Sequence, residues 1–200
     1  MKTLYKRLIS ISMVIFCSVL LFTSCEDFLA EKPYDFYDEQ DFYKDVSELE
    51  LAVNGAYEVL SQKMTYGHFM LVNDCDTDLS HIKGSGTGHT ARDLGHYNIY
   101  TSHNWLEEAW GYYYTGIDRV NRIMANKDRV DLPDETSQAT FKRLIAEARL
   151  LRGICYFDLV RMWGDVPFKL TASDKTENFA VTRTDREEVY QQIVDDMEGA

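Results

Sequence analysis

Positive charge and proline are what this chain of 200 residues has least of. Lys and Arg number 21 against 33 Asp and Glu, a formal net charge of −12. A surface of that sign repels a phosphate backbone, which excludes nucleic acid as an electrostatic partner. Three prolines are too few for a loop-rich or disordered chain. The four cysteines, Cys17, Cys25, Cys75 and Cys155, do not make a disulfide framework, because the first two fall in the amino-terminal 25 residues. Cys155 reads as a small core residue, with a Cys75–Cys155 disulfide as the alternative. The apolar run Leu8–Phe22 is about 15 residues long, short of the roughly 20 that span a bilayer.

Several site patterns are also incomplete. Gly84-Ser-Gly-Thr-Gly88 lacks the Lys-Ser/Thr ending of a phosphate loop and follows no strand. Asp74, Asp76 and Asp78 alternate as in a calcium loop, but Leu79 and Ser85 stand where an EF-hand needs Gly and Glu. An irregular calcium site there competes with plain capping and solvation, which is the stronger reading. His81, His89, His96 and His103 lie seven or eight apart, unlike zinc ligands, and no Cys pair accompanies them. No metal and no cofactor is expected.

What the chain does have begins at its amino terminus. Lys2, Lys6 and Arg7 precede the apolar run, and Leu21-Phe-Thr-Ser-Cys25 closes it. This is the layout of a signal peptide over residues 1–24, and the closing segment resembles a bacterial lipobox that makes Cys25 the lipidated first residue. An ordinary secretory signal with a chance cysteine is the alternative. Cleavage removes three positive charges and no negative ones, leaving about −15 on the mature chain. Several acyl chains on Cys25 give durable membrane attachment where one gives marginal binding. Residues 25–45 lack helical periodicity and read as a tether that begins to dock through Phe28, Phe36 and Phe42.

From residue 46 the pattern is helical. Ser47-Glu-Leu-Glu50 matches a capping box, and Leu49, Val53, Ala56 and Leu60 follow at helical spacing, predicting a helix over 46–63. Gly55 and Ala56 in it would admit a second helix closely. Residues 64–102 read as a long irregular segment, a length that in a compact domain is usually functional. Asn104-Trp-Leu-Glu107 is a second capping-box candidate, opening a helix to about Asn126 through Trp110, Tyr113, Tyr114, Ile117, Val120, Asn121 and Met124. Tyr112, Tyr113 and Tyr114 are expected to divide between core and rim. Residues 128–137 read as a connector.

The longest helix follows. Phe141, Leu144, Ala148, Leu151, Cys155, Leu159 and Met162 lay one stripe along about six turns. Arg149 and Arg152 are expected to pair with acidic residues of neighbouring helices. Gly164 and Pro167 stop the helix. Residues up to Val181 read as loop. Thr184-Asp-Arg-Glu187 then caps a last helix carrying Val189, Ile193 and Met197, which the sequence leaves without a visible packing partner. The fold class is all-α, helix pairs of tetratricopeptide type with long irregular loops, although no 34-residue register repeats cleanly.

Several of these stretches together resemble the SusD/RagB family of outer-membrane nutrient-binding lipoproteins. They are Cys25-Glu-Asp-Phe-Leu-Ala-Glu-Lys-Pro33, Ala52-Val-Asn-Gly-Ala-Tyr57, the segment Trp110–Asn121, Ala146-Glu-Ala-Arg-Leu-Leu-Arg152 with Tyr156-Phe157, Trp163-Gly-Asp-Val-Pro167, and Thr184-Asp-Arg-Glu-Glu-Val-Tyr190. The acidic pair Glu26-Asp27 after Cys25 is similar to the surface-export signal of Bacteroidetes lipoproteins. The resemblance implies a tetratricopeptide-like helical body spanning residues 46–200, of which this chain looks like the amino-terminal portion. It also implies no catalysis, an outer-membrane location through the lipid anchor, a glycan ligand, and a SusC-like TonB-dependent transporter as partner.

By the same analogy the irregular segment contributes to a glycan surface. Trp105, Tyr97, His96 and Arg92 could form a sugar platform, aromatic faces stacking on pyranose rings while polar groups hold hydroxyls, with Asp76 and Asp78 as further polar ligands. Against this, the stronger reading of Trp105 is as a buried anchor at a helix start. Two other functions compete. A glycosidase needs two carboxylates across a cleft, and none here stands in a recognisable catalytic setting. A helical scaffold for peptide or protein partners has no need to expose the aromatic residues of 97–105.

Overall fold

A computed structural model describes residues 42–67, 77–79, 90–173 and 181–200. Residues 1–41, which hold the segment read as a signal peptide, Cys25 and most of the segment read as a tether, lie outside the described residues, as do Cys75, Asp76 and the glycine cluster. The described helices are α1 (Val46–Glu58), α2 (Thr90–Gly95), α3 (Asn104–Asn126), α4 (Glu135–Trp163) and α5 (Arg186–Glu198). Helix α4 packs on α1, α3 and α5, and α1 packs on α3.

The apolar stripe of α4 explains this arrangement. Its amino-terminal half, Leu144, Ala148 and Leu151, is buried with Leu49, Val53 and Ala56 of α1 and with Val120 and Ile123 of α3. Its carboxy-terminal half, Cys155 and Leu159, is buried with Tyr113 and Ile117 of α3 and Val189 and Ile193 of α5. One stripe thus serves two helix pairs. The last helix is therefore not solitary: α5 finds its partner in α4. Tyr113 is buried while Tyr112 and Tyr114 are half-buried, the division expected for three adjacent helical positions.

Helix α4 starts six residues before the predicted stripe, because its first turn, Glu135–Thr140, is polar and solvent-facing and carries no apolar signal. Asp134 caps it, accepting from the Ser137 amide at 2.7 Å. Those bonds from the Ser137 backbone hold the Asp134 carboxyl below its ordinary value. Asp45, not Ser47, caps α1, accepting from the Ser47 and Glu48 amides at 2.8 and 2.9 Å while Glu48 takes the Lys44 amide at 2.7 Å. The capping box assigned to Ser47 and Glu50 is displaced by two residues. At α3 the box is absent: His103, buried, is the N-cap residue and makes no side-chain cap bond. Asp185 caps α5, accepting from Glu187 N at 2.8 Å.

Helix α1 ends at Glu58 instead of reaching Lys63. A short 3-10 turn follows over Val59–Ser61, and Thr65 leaves helical dihedrals at φ −114° and ψ −114°. The buried Thr65 hydroxyl sits 2.7–3.0 Å from the carbonyls of Val59, Leu60 and Gln62 and holds this turn. Such local bonding of a Thr side chain competes with helical continuation. The glycine that admits close helix approach is Gly116 of α3. A Cβ there would lie 3.0 Å from Cys155 Sγ and 3.2 Å from Val59 Cγ1, whereas one on Gly55 meets nothing within 4 Å.

Gly164 ends α4 at φ +72°, a conformation open to glycine. Beyond it β1 (Val166–Pro167) pairs antiparallel with β2 (Arg183–Thr184), a two-residue ladder that closes off the segment between them. Ahead of α1, Tyr43 is buried and Phe42 packs edge-on against it with centroids 4.7 Å apart. Residues 42 and 43 thus pack onto the core ahead of α1, and Phe28 and Phe36 lie outside the described residues.

Candidate functional site

Among the described residues a concavity lies between α3 and the segment that follows β1. It is a cavity of about 330 Å³ lined by Trp110, Tyr114, Ile117, Asp118 and Asn121 on one side and by Pro167, Lys169, Thr171, Ser173 and Val181 on the other. Trp110, Tyr114, Ile117 and Asn121 occupy i, i+4, i+7 and i+11, one face of the helix. Trp110 stands edge-on to Trp163 with centroids 5.2 Å apart and tilts against Tyr114 at 5.0 Å.

The facing wall is irregular backbone, and side chains of α3 and α4 hold it. The Tyr114 hydroxyl donates to Pro167 O at 2.6 Å. The Tyr156 hydroxyl accepts from Lys169 N and donates to Lys169 O, both at 2.8 Å. Asn121 Nδ2 lies 3.1 Å from the carbonyls of both Lys169 and Thr171. Asp118 accepts from Ser173 N at 2.7 Å, and Arg122 donates to Ser173 O at 2.9 Å. With its main-chain groups so satisfied, the wall is pre-formed.

Burial alone would raise the Asp118 carboxyl, but the Ser173 amide and the Arg122 guanidinium outweigh it and hold the group below its ordinary value. Burial pushes the Tyr156 hydroxyl up to about 12. Further along α4 the buried Asp158 accepts from the Tyr66 hydroxyl at 2.7 Å, and burial pushes its carboxyl above the usual range despite that bond. Cys155 is a free thiol whose burial pushes it up to about 12, so it is an inert core group and not a nucleophile.

The residues singled out in the sequence lie elsewhere. Arg92 is half-buried on α2, whose Leu94 anchors it in the core. His96 and Tyr97 follow directly, with His96 N donating to Arg92 O at 2.9 Å and Tyr97 N to Leu94 O at 3.1 Å. Tyr97 is 69% exposed and adopts φ +57°, a left-handed conformation that costs a non-glycine residue on the order of 1 kcal/mol. Ile99 and Tyr100 are exposed beside it, and the Tyr100 ring lies 5.3 Å from that of His103. Arg92, His96 and Tyr97 are joined by these local turns, and Tyr100 follows three residues on in the same segment. Trp105 is half-buried against the core, with Lys63 Nζ 5.7 Å from its ring centroid. Asp78 is exposed, and Asp76 lies outside the described residues.

Sequence reasoning also missed the cavity. The aromatic face of α3 was visible as periodicity, but its facing wall is positioned by pairings some 50 residues apart that no local pattern encodes. Among the described residues no helix is long and apolar enough to cross a membrane, and no cluster of three or more potential metal ligands occurs.

Comparison with known proteins agrees with this architecture. The SusD-like family described as "Starch-binding associating with outer membrane" matches residues 27–200. SusD-like protein P25 of Formosa agariphila is 28% identical over 184 residues, which cover 88% of this chain and 34% of that protein. A SusD-like protein of Bacteroides ovatus is 28% identical over 196 residues, covering 94% and 34%. Among solved structures, a SusD homolog from Bacteroides thetaiotaomicron superposes with a TM-score of 0.72 at 27% identity, covering 80% of this chain and 30% of that one. A laminarin binding SusD-like protein gives 0.68 at 25% identity, covering 78% and 34%. The chain belongs to the SusD-like family. It spans about a third of the length of the curated relatives it matches.

Proposed function

We propose that this protein is a non-catalytic, lipid-anchored outer-membrane protein that binds oligosaccharides or polysaccharides and passes them to a SusC-like TonB-dependent transporter. The observation that carries the reading is the family match across residues 27–200, beside a structural neighbour described as laminarin binding. The anchor is Cys25, at the end of the lipobox-like Leu21–Cys25, and the acidic Glu26-Asp27 favours surface exposure.

The aromatic segment from Tyr97 to Tyr100 supports glycan capture over a purely scaffolding role. Aromatic faces in solvent stack well on the apolar faces of sugar rings, and His96 and Arg92 beside them supply hydrogen-bond donors. Ring stacking of this kind fits a surface that receives chains of sugars, whereas a helical scaffold would keep such rings in contact with its partner.

Electrophoresis of the purified protein through native gels with embedded neutral polysaccharides tests the binding: retardation in at least one gel is expected, and equal mobility in all of them removes the glycan reading. Fractionation of cells carrying Cys25→Ala tests the anchor, the variant being expected to leave the membrane fraction. Retention of Cys25→Ala in that fraction would refute lipidation at this residue.

A further inference from the structure

We propose that the cavity between α3 and residues 167–173 is a second subsite, which seats one ring of a neutral glycan apart from the Tyr97–Tyr100 surface. The inference rests on the glycan-binding reading. Its volume of about 330 Å³ suits a small polar ring rather than a polymer strand, falling at the low end of the roughly 300–1,000 Å³ of small-ligand clefts. One side is aromatic: Trp110 and Tyr114 stand on successive turns, both half-buried. Trp163 packs edge-on against Trp110 and fixes the indole from the side.

The opposite side carries three polar side chains, Lys169, Thr171 and Ser173, beside the apolar Pro167 and Val181. Lys169 Nζ lies 3.3 Å from Ser173 Oγ, and the Thr171 hydroxyl stands between them in sequence on the exposed rim. A platform facing hydroxyl and ammonium groups is the combination that holds a sugar, which offers an apolar face and a hydroxylated edge. Because the wall's main-chain groups are bonded to Tyr114, Asp118, Asn121, Arg122 and Tyr156, it keeps its shape without a ligand. Little ordering therefore remains to be done on binding.

Charge narrows the ligand class. Asp118 and Lys169 put one charge of each sign on the lining, and the chain as a whole carries −12. Neither supplies the surplus of positive charge that a uronate or sulfated chain needs.

The test titrates the purified protein calorimetrically with short malto-, laminari-, cello-, xylo- and manno-oligosaccharides and with an oligogalacturonate, following indole fluorescence in parallel. Two rim variants, Thr171→Phe and Val181→Phe, fill the mouth from exposed positions, so their melting temperatures should match wild type. At least a tenfold loss of affinity for a neutral oligomer is expected in both variants, together with loss of the fluorescence change. Undiminished binding in both, with binding lost instead in Tyr97→Ala, overturns the subsite and leaves the glycan reading standing. Equal or tighter binding of the oligogalacturonate overturns the assignment to neutral sugars. Failure of wild type to bind any glycan overturns the subsite and the glycan reading together.

Discussion

The guanidinium of Arg152 on α4 forks onto the carboxylate of Asp196 on α5, with both N–O distances 2.7 Å and both side chains buried. The third arm of the fork, Nη1, donates to Asn121 Oδ1 on α3 at 2.9 Å, and the Asn121 amide in turn holds the carbonyls of Lys169 and Thr171. One buried polar chain therefore links the last helix to the wall of the cavity. Arg149 joins its far end, with Nε 3.6 Å from Asp196.

Breaking that pair is expected to be costly. Removal of Asp196 leaves the buried Arg152 guanidinium without its carboxylate, and removal of Arg152 leaves Asp196 only the longer contact with Arg149, so Arg152→Ala or Asp196→Ala should lose about 3–5 kcal/mol in denaturant unfolding. The double variant Arg152→Met with Asp196→Leu should lose clearly less than the two single losses combined. Hydrogen exchange at the Lys169 and Ser173 amides should accelerate in Arg152→Ala, since the wall loses its support through Asn121.

Close packing at Gly116 gives a second prediction. Gly116→Ala places a methyl 3.0 Å from Cys155 Sγ and 3.2 Å from Val59. Overpacking of this kind costs about 1–3 kcal/mol. Cys155→Ala added to Gly116→Ala should recover part of that loss, read as a melting temperature above that of the Gly116→Ala variant alone.

Asp158 sets a pH dependence that Asp158→Asn should isolate. Burial raises its carboxyl in the folded state above the ordinary 3.8. The folded chain therefore holds this proton more tightly than the unfolded one, and deprotonation works against folding. The stability of wild type relative to Asp158→Asn should be greatest below about pH 4, fall as pH rises through the elevated folded value, and then level off. Paired urea titrations from pH 3 to pH 8 measure the difference, and a flat difference would show that Asp158 titrates as it does in the unfolded chain.

Tyr97 separates ring from backbone. Its left-handed conformation suits glycine, so Tyr97→Gly should keep α2 and the fold intact by circular dichroism and melting temperature while removing the aromatic face. Glycan retardation in native gels should weaken in this variant.

Much of this fold is legible in the sequence because its helices bury continuous stripes. The seven apolar positions from Phe141 to Met162 foretell the course of α4 from Phe141 onward and its need for partner helices. The polar opening turn of α4 is invisible to periodicity. The cap of α1 was misplaced because Asp45 and Ser47 are both good capping residues and an acidic chain offers a Glu at either matching distance. Arg149 and Arg152 pair with an acidic residue of the next helix, as their setting on a packed helix suggests. What local reasoning could not reach was Arg152 lying fully inside, since its burial depends on Asp196 and Asn121, 44 and 31 residues away. For the same reason the cavity stayed hidden, while Tyr97, His96 and Arg92, joined by local turns, could be grouped from sequence.

Calorimetric titration of the purified protein with a panel of soluble neutral polysaccharides tests the central claim most directly. Saturable heats with at least one of them, at micromolar to millimolar affinity, are the predicted result. A folded, monodisperse protein that gives no heat with any of them would contradict the account.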